Sequence, residues 1–326
     1  MRVEVVGAGV AGLTAAYELA RRGAEVALVE RKPRAGLGCS RFAGGMIAPW
    51  CELQSAEPIV ATLGAEALDF WTREIPVATR AGSLVVAPAR QRAELFDFSR
   101  RTDNFEKLEA EGVVALEPDL EGRFDIALHF AAEAHLDPQA AMAALVERLC
   151  QMPNDVLRFG AEAEGGADWT VDARGFAARD ALPTLRGVKG EMLTLRSEGL
   201  RFSRPIRMLH PKRPVYVVPR GDGLYMVGAT MIENEEAARV TARSLVELIN
   251  SAYAIHPAFA EAEVVETGSD LRPAFPDNLP RLIARGNTLY INGLYRHGFL
   301  LAPALARRAA LMLLEGARFP EIGDAG

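Results

Sequence analysis

The sequence predicts an α/β protein: a Rossmann-like dinucleotide-binding domain, assembled from discontinuous segments, with an inserted substrate domain of α+β character built on an antiparallel sheet. Three observations predict it. The first thirty residues alternate strand, glycine turn, helix and strand. Strand-like stretches follow one another without helices between Gly187 and Ala229. A strand, a glycine-bearing turn and a long helical run close the pattern from Thr288 to Leu314. The expected dinucleotide domain comprises residues 1–78, 135–185 and 265–326, and the inserted domain residues 79–134 and 186–264.

Val3, Val5 and Val6 read as a buried parallel strand leading into Gly7, Gly9 and Gly12, a G-x-G-x-x-G turn that opens an alanine-rich helix ending near Gly23. Gly7 permits the tight turn, Gly9 lets the backbone approach a pyrophosphate, and Gly12 lets helix and strand pack closely. The helix N-terminus offers unpaired N–H groups and the positive end of its dipole to phosphates. The second strand ends on Glu30, whose carboxylate is placed to accept both ribose hydroxyls and to repel a 2′-phosphate. A nicotinamide dehydrogenase would proceed from here to the next βα unit. This chain instead spends Arg31 to Glu52 on small positions, among them Gly36, Gly38, Ser40, Gly44 and Gly45. Such a stretch suits a backbone threaded along an extended ligand and favours FAD over NAD. Phe42, Met46, Ile47 and Trp50 within it call for burial rather than a surface loop.

Residues 56–74 read as a helix ending before Ile75-Pro76, 82–88 as a strand, 91–109 as a polar helical stretch, and His129–Phe130 as a strand. Asp137 is the expected N-cap of a helix over 139–150, with Pro138 at its first position; His135 reads as a structural histidine. Residues 168–175 read as a strand running into a turn at Gly175 that returns to the pyrophosphate. Strands are expected at 187–195, 214–219 and 224–229, the last two joined by a hairpin turn at Gly221-Asp222-Gly223. A helix over 242–254 is bounded by His256-Pro257. The final strand, 288–292, feeds a turn and then the helical run 300–314. The positive end of that helix would face the part of a flavin that becomes negative on reduction, an effect of roughly 0.3–1 kcal/mol when exposed and up to ~2 when partly buried.

Composition narrows the function classes. The 326 residues are 49% hydrophobic and 25% charged, as in a soluble globular protein, and the net charge of −6 argues against a nucleic-acid partner. Cys39, Cys51 and Cys150 form no C-x-x-C pair, which favours a reducing compartment. No apolar run is long enough to span a membrane, and the chain enters its first strand at once, so a cytoplasmic protein without a leader is expected. The five histidines are scattered without metal-ligand spacing, and no G-x-S-x-G elbow is present.

Four patches point to a family. GLYRHGFLLAPALA (293–306), YVVPRGDGLYMVGATMIE (216–233), LRPAFPDNLP (271–280) and FAGGMIAPWCE (42–52) resemble motifs of the glycine oxidases in the D-amino-acid oxidase superfamily, the branch that feeds thiazole synthesis for thiamine. The patches lie in both halves, so the resemblance covers essentially the whole chain. It implies non-covalent FAD and transfer of a hydride from Cα of glycine or another small amino acid to flavin N5. The products it implies are an imine or 2-oxo acid, ammonia and, from oxygen, hydrogen peroxide. It further implies a homo-oligomer and thiazole synthase as the recipient of the imine. An amine dehydrogenase of the same fold with another electron acceptor, or a non-catalytic flavoprotein that matures a partner, stays open as an alternative.

By position in the resemblance, Arg296 grips the substrate carboxylate, Tyr216 shares it through its hydroxyl, Met231 lines the pocket, and Ala48 falls where some members carry glycine. A bidentate Arg–carboxylate contact would fix the substrate in two directions. The expected cofactor contacts are Gly7, Gly9, Ala11, Gly12, Glu30 and Arg31; then Gly38, Ser40, Gly44, Gly45, Met46 and Gly175; and finally Arg272, His297, Gly298, Phe299 and Leu300. Arg272 also reads as a structural ion-pair residue. Cys39 is expected to be a small buried thiol rather than a covalent flavin anchor, and Glu52 and Glu191 are candidates for ordering the site through hydrogen bonds. The chain departs from the family pattern at His297, where asparagine is usual, and at Asp270, where glycine precedes L-R-P.

Overall fold

The valine-rich opening forms β1 (Arg2–Val6), and the glycine turn releases the chain into α1 (Val10–Arg21) and β2 (Glu25–Glu30). The computed structural model describes residues 1–153, 157–211, 214–236 and 239–323. A short β3 (Met46–Ile47), α2 (Pro49–Glu52) and α3 (Pro58–Asp69) come next. They lead to β4 (Ser83–Val86), α4 (Arg92–Ser99), β5 (Glu106–Glu109), α5 (Ala110–Leu116), β6 (Ile126–Phe130), β7 (Ala134–His135) and α6 (Pro138–Cys150). The second half runs β8 (Leu157–Phe159), β9 (Trp169–Asp172), β10 (Arg186–Arg196), β11 (Ile206–Met208), β12 (Val215–Gly221) and β13 (Leu224–Gly228). It ends with α7 (Ala242–Ile255), β14 (Glu263–Ala274), β15 (Arg281–Arg285), β16 (Thr288–Asn292) and α8 (Gly298–Glu315).

Two sheets sort these elements. The first has the order β15-β16-β9-β1-β2-β8 and is parallel except for the β15–β16 pair. Val3 and Val5 of its central strand are buried, as befits a parallel strand covered by helices. The second sheet has the order β14-β10-β13-β12-β11-β4-β6-β5, and α7 covers it, sending Leu248, Ala252 and Ile255 into a core with Leu193, Leu195, Val217 and Val227. β3 and β7 pair separately.

Three features differ from the sequence expectation. The second sheet is not purely antiparallel: β11 and β4 run parallel, because β4 arrives from a distant stretch of chain and not through a hairpin. The polar stretch 91–109 is helical only over Arg92–Ser99. Its end is edge strand β5, paired with β6 after Asn104 takes a left-handed φ of 61°. β14 crosses the expected boundary at residue 265 and bonds along β10 over its length, so residues 263–274 belong to the second sheet. Elsewhere local signals hold. Asp137 caps α6 by accepting the N–H of Ala140 at 2.8 Å, with Pro138 at the first position.

The last helix carries its own irregularity. Pro303 lies inside α8 and has no N–H to give the carbonyl of Phe299, four residues back. The indole N–H of the fully buried Trp71 donates to that carbonyl instead, at 2.8 Å. Trp71→Phe keeps an aromatic ring in the gap but leaves the carbonyl unpaired. Equilibrium urea unfolding should show a loss of about 1–3 kcal/mol; an unchanged midpoint and slope would show that the bond adds no net stability.

Candidate active site

Two cavities meet between the sheets. The larger, about 460 Å³, starts at the β1–α1 turn and ends at the N-terminus of α8. Gly7 holds φ at +102°, and a Cβ there would come 2.8 Å from the Ala173 carbonyl oxygen. A Cβ on Gly12 would lie 1.8 Å from the Gly7 carbonyl oxygen, so this glycine serves the close approach of helix and strand. Gly12 lines neither cavity; its part is packing. A Cβ on Gly9 would meet only the Ser40 hydroxyl, at 3.2 Å. That hydroxyl accepts the N–H of Val10 at 3.1 Å, and Gly9 gives α1 no side-chain cap, so the positive end of the helix faces the cavity. Glu30 stands at the wall with both oxygens engaged: they accept the N–H groups of Ala8 at 2.8 Å and Lys32 at 2.9 Å, leaving each a further lone pair.

Of the other expected cofactor residues, Ala11, Arg31, Gly38, Ser40, Gly44, Gly175, Arg272, Gly298 and Phe299 also line the larger cavity. The carbonyl of Gly175, whose φ is +62°, accepts the side-chain N–H of Asn292 at 2.9 Å, which ties the turn after β9 to the end of β16. Cys39 lies in the wall, and burial pushes its thiol up to about 12, so it stays protonated at neutral pH.

The smaller cavity, about 110 Å³, shares Gly44, Tyr216, Arg272, Arg296, Gly298 and Phe299 with the larger one. Gly45, Met46, Ala48, Met231, His297 and Leu300 face only the smaller one, which for Gly45, Met46, His297 and Leu300 differs from the cofactor placement expected of them. Tyr216 lies against Gly44, where a Cβ would come 2.7 Å from its ring, and burial raises its hydroxyl above the usual range. Arg272 lies over Gly190, where a Cβ would come 2.2 Å from its guanidinium, and donates through Nη1 to the Thr230 carbonyl at 2.9 Å. Met231 is 50% exposed and sits at the rim, its sulfur 3.5 Å from the Tyr295 hydroxyl. Burial holds His297 down at about 4, so it is neutral at pH 7.

Arg296 reaches the junction from a strained turn. Tyr295, with φ at +50°, swings the chain from β16 into α8 and is held by its N–H on the Pro273 carbonyl at 3.0 Å. The guanidinium is not the open fork the sequence suggests. Nη2 donates to Glu52 Oε2 at 2.5 Å and to Ser55 Oγ at 2.7 Å. Burial opposes ionisation of Glu52, but Arg296, then His297 at 3.6 Å and Arg207, outweigh burial and hold the carboxyl at about 2.

Three participants escape sequence reasoning. Arg207 on β11 lies 3.3 Å from Glu52 Oε1, and Ser55 completes the shell of Arg296. Arg220, from the arm of the hairpin, donates to the carbonyls of Leu136 (2.7 Å), Ala43 (3.2 Å) and Gly44 (2.9 Å) and so fixes the backbone under Tyr216. A cation at the end of the apolar run PVYVVPR is the one signal that could have singled out Arg220. Glu191 goes elsewhere: it pairs with Lys189 at 2.8 Å, accepts the N–H of Thr241 at 2.9 Å, and lines neither cavity. Among the described residues no cluster suited to a metal ion occurs, and no helix is long and apolar enough to cross a membrane.

Glu133 stands behind α2, fully buried, with Oε1 accepting the N–H of Cys51 at 2.9 Å. Burial raises its carboxyl to about 7. A carboxyl raised in the folded state stabilises the fold below its ordinary pKa near 4.5 and loses that contribution as pH rises through 7. Glu133→Gln should therefore flatten the stability profile between pH 5 and 8, by roughly 3 kcal/mol at most. Parallel profiles for the two proteins would rule out a neutral Glu133.

The larger cavity offers the parts a flavin dinucleotide needs: a helix N-terminus with a glycine N-cap for the pyrophosphate, a fixed carboxylate at the end of β2, and a second helix N-terminus at its far end. Comparison with known proteins agrees. The family described as FAD dependent oxidoreductase (DAO) matches residues 2–312. A Rhizobium etli protein named as a thiamine biosynthesis oxidoreductase, ThiO, is 53% identical over 324 residues, 98% of this chain and 99% of that one. The glycine oxidase of Pseudomonas aeruginosa is 27% identical, covering 95% of this chain and 93% of its own. In fold, the crystal structure of glycine oxidase from Bacillus cereus matches with a TM-score of 0.82 at 21% identity, over 97% of this chain and 96% of that one.

Proposed function

The chain belongs to the DAO family of FAD-dependent oxidoreductases, and from that premise we propose that it oxidises the carbon–nitrogen bond of glycine or another small amino acid. One observation carries this reading: Arg296, Arg272 and Tyr216 face both cavities at their junction. Two guanidinium groups and a phenol suit a carboxylate, and the 110 Å³ of the smaller cavity suits a small one. Bound FAD, held along the larger cavity, supplies the acceptor for the α-hydrogen and its electron pair. The protein supplies orientation: Arg296, Arg272 and Tyr216 hold the carboxylate so that Cα lies at the junction. Alignment of this kind contributes several kcal/mol to lowering a barrier, roughly 7–11 in the best cases. Neutral His297 adds no further positive charge to the smaller cavity. With oxygen as the final acceptor, glycine, O₂ and water give glyoxylate, ammonia and hydrogen peroxide. The name of the Rhizobium relative supports a role in thiamine biosynthesis, and the family resemblance supports delivery of the imine to thiazole synthesis and a homo-oligomer.

Anaerobic addition of glycine to the purified holoenzyme should bleach the flavin absorption, and air should then yield peroxide and ammonia. No reduction by glycine, sarcosine or small D-amino acids rejects the proposal. Arg296→Ala should raise KM for glycine about 10–100-fold, the weight of a lost charge-assisted hydrogen bond, with FAD content unchanged. An unchanged KM removes Arg296 from the site.

A further inference from the structure

The guanidinium of Arg296 enters the junction already held on one side. We propose that Glu52 is a positioning residue that fixes Arg296 so that Nη1, and not Nη2, is presented to the substrate carboxylate; this rests on the amino-acid oxidase reading above. Nη2 has two hydrogens, and the contacts to Glu52 Oε2 at 2.5 Å and Ser55 Oγ at 2.7 Å use both. Among the described residues Nη1 reaches only the sulfur of Met231, at 3.8 Å, a weak acceptor. Nε is buried and makes no hydrogen bond among the described residues.

Glu52 is itself held from behind. Its Oε1 lies 3.3 Å from Arg207 Nη1, while Arg207 Nη2 donates to Gln54 Oε1 at 3.0 Å and its guanidinium lies over the Phe98 ring at 5.3 Å. The neighbouring Cys51 N–H is fixed on Glu133 at 2.9 Å. A carboxylate gripped from two sides and carried on an anchored turn does not swing away when a substrate arrives. It acts as a stop for Arg296 and leaves the guanidinium one orientation. The opposite role, a built-in competitor that a substrate displaces, requires Glu52 to be mobile and predicts the opposite sign on its removal.

The test titrates acetate, a carboxylate with no amine to oxidise, into the FAD-loaded enzyme and reads binding from the shift of the flavin absorption. Glu52→Gln, which keeps the shape and removes the charge, should weaken acetate binding about tenfold, and Glu52→Asp should recover part of the loss. KM for glycine should rise in parallel while kcat stays within about threefold. In an Arg296→Ala background, Glu52→Gln should change acetate binding less than about twofold, because its effect passes through Arg296. FAD content and thermal midpoint confirm that each variant is folded. Acetate binding that is unchanged or tightened by Glu52→Gln overturns the proposal. So does weakening that persists without Arg296, or a wild type that binds no acetate. A wild type that binds acetate with this dependence on Glu52 and Arg296, yet is not reduced by glycine, supports the positioning role and refutes only the amino-acid substrate.

Discussion

The contact between Gly12 and the Gly7 carbonyl fixes where everything else can go. No side chain fits there, since a Cβ would lie 1.8 Å from that oxygen, so α1 lies as close to the end of β1 as backbone allows. The helix N-terminus is thereby set at the tip of the central strand. α8 follows from α1: Thr14 reaches the Ala302 carbonyl at 3.4 Å, and a Cβ on Gly298 would meet Val10 at 3.4 Å. The starts of the first and last helices therefore lie side by side. Both present positive ends to one cavity, which is what an anionic dinucleotide requires.

Charge is arranged around the junction with equal economy. Arg220 donates to three carbonyls and has Asp137 3.4 Å from its Nε, yet burial outweighs that carboxylate and pulls it down to about 10. Its work is to hold main chain. Arg296 is raised above its ordinary value, chiefly by Glu52, and its Nη1 meets only a sulfur among the described residues. The two arginines differ in how many nitrogens are engaged. All three nitrogens of Arg220 have carbonyl or carboxylate partners, whereas Glu52 and Ser55 take up only Nη2 of Arg296.

The parts that were legible in the sequence are those written in local grammar. The glycine fingerprint, the acid at residue 30, the Asp137-Pro138 cap and the Gly221-Asp222-Gly223 turn each depend on neighbours a few residues away. All four appear in the structure as their spacing implies, with positive φ at all three residues of the hairpin turn. What was not legible depends on distant partners. Arg207 and Glu52 are 155 residues apart, Arg296 and Glu52 are 244 apart, and no periodicity marks either pair. The parallel pairing of β4 with β11 and the course of β14 across both halves are decisions of topology, invisible to a period-2 pattern. Gln91–Glu109 misled because a polar edge strand and a polar helix carry the same composition.

The junction is also where the two sheets are held in register with each other. β14 pairs with β10 in the second sheet, yet its end delivers Arg272 and Pro273 into the wall of the larger cavity. There the Pro273 carbonyl accepts the N–H of Tyr295, the residue before Arg296 at the end of the first sheet. One main-chain bond thus sets how far the root of one guanidinium stands from the root of the other. Two cations placed in this way repel, and the repulsion grows with desolvation. Glu52 lies between Arg296 and Arg207 and offsets part of it. A carboxylate at the junction would offset the rest. An affinity for an anion would therefore follow from how the sheets are joined, since the backbone fixes the cations.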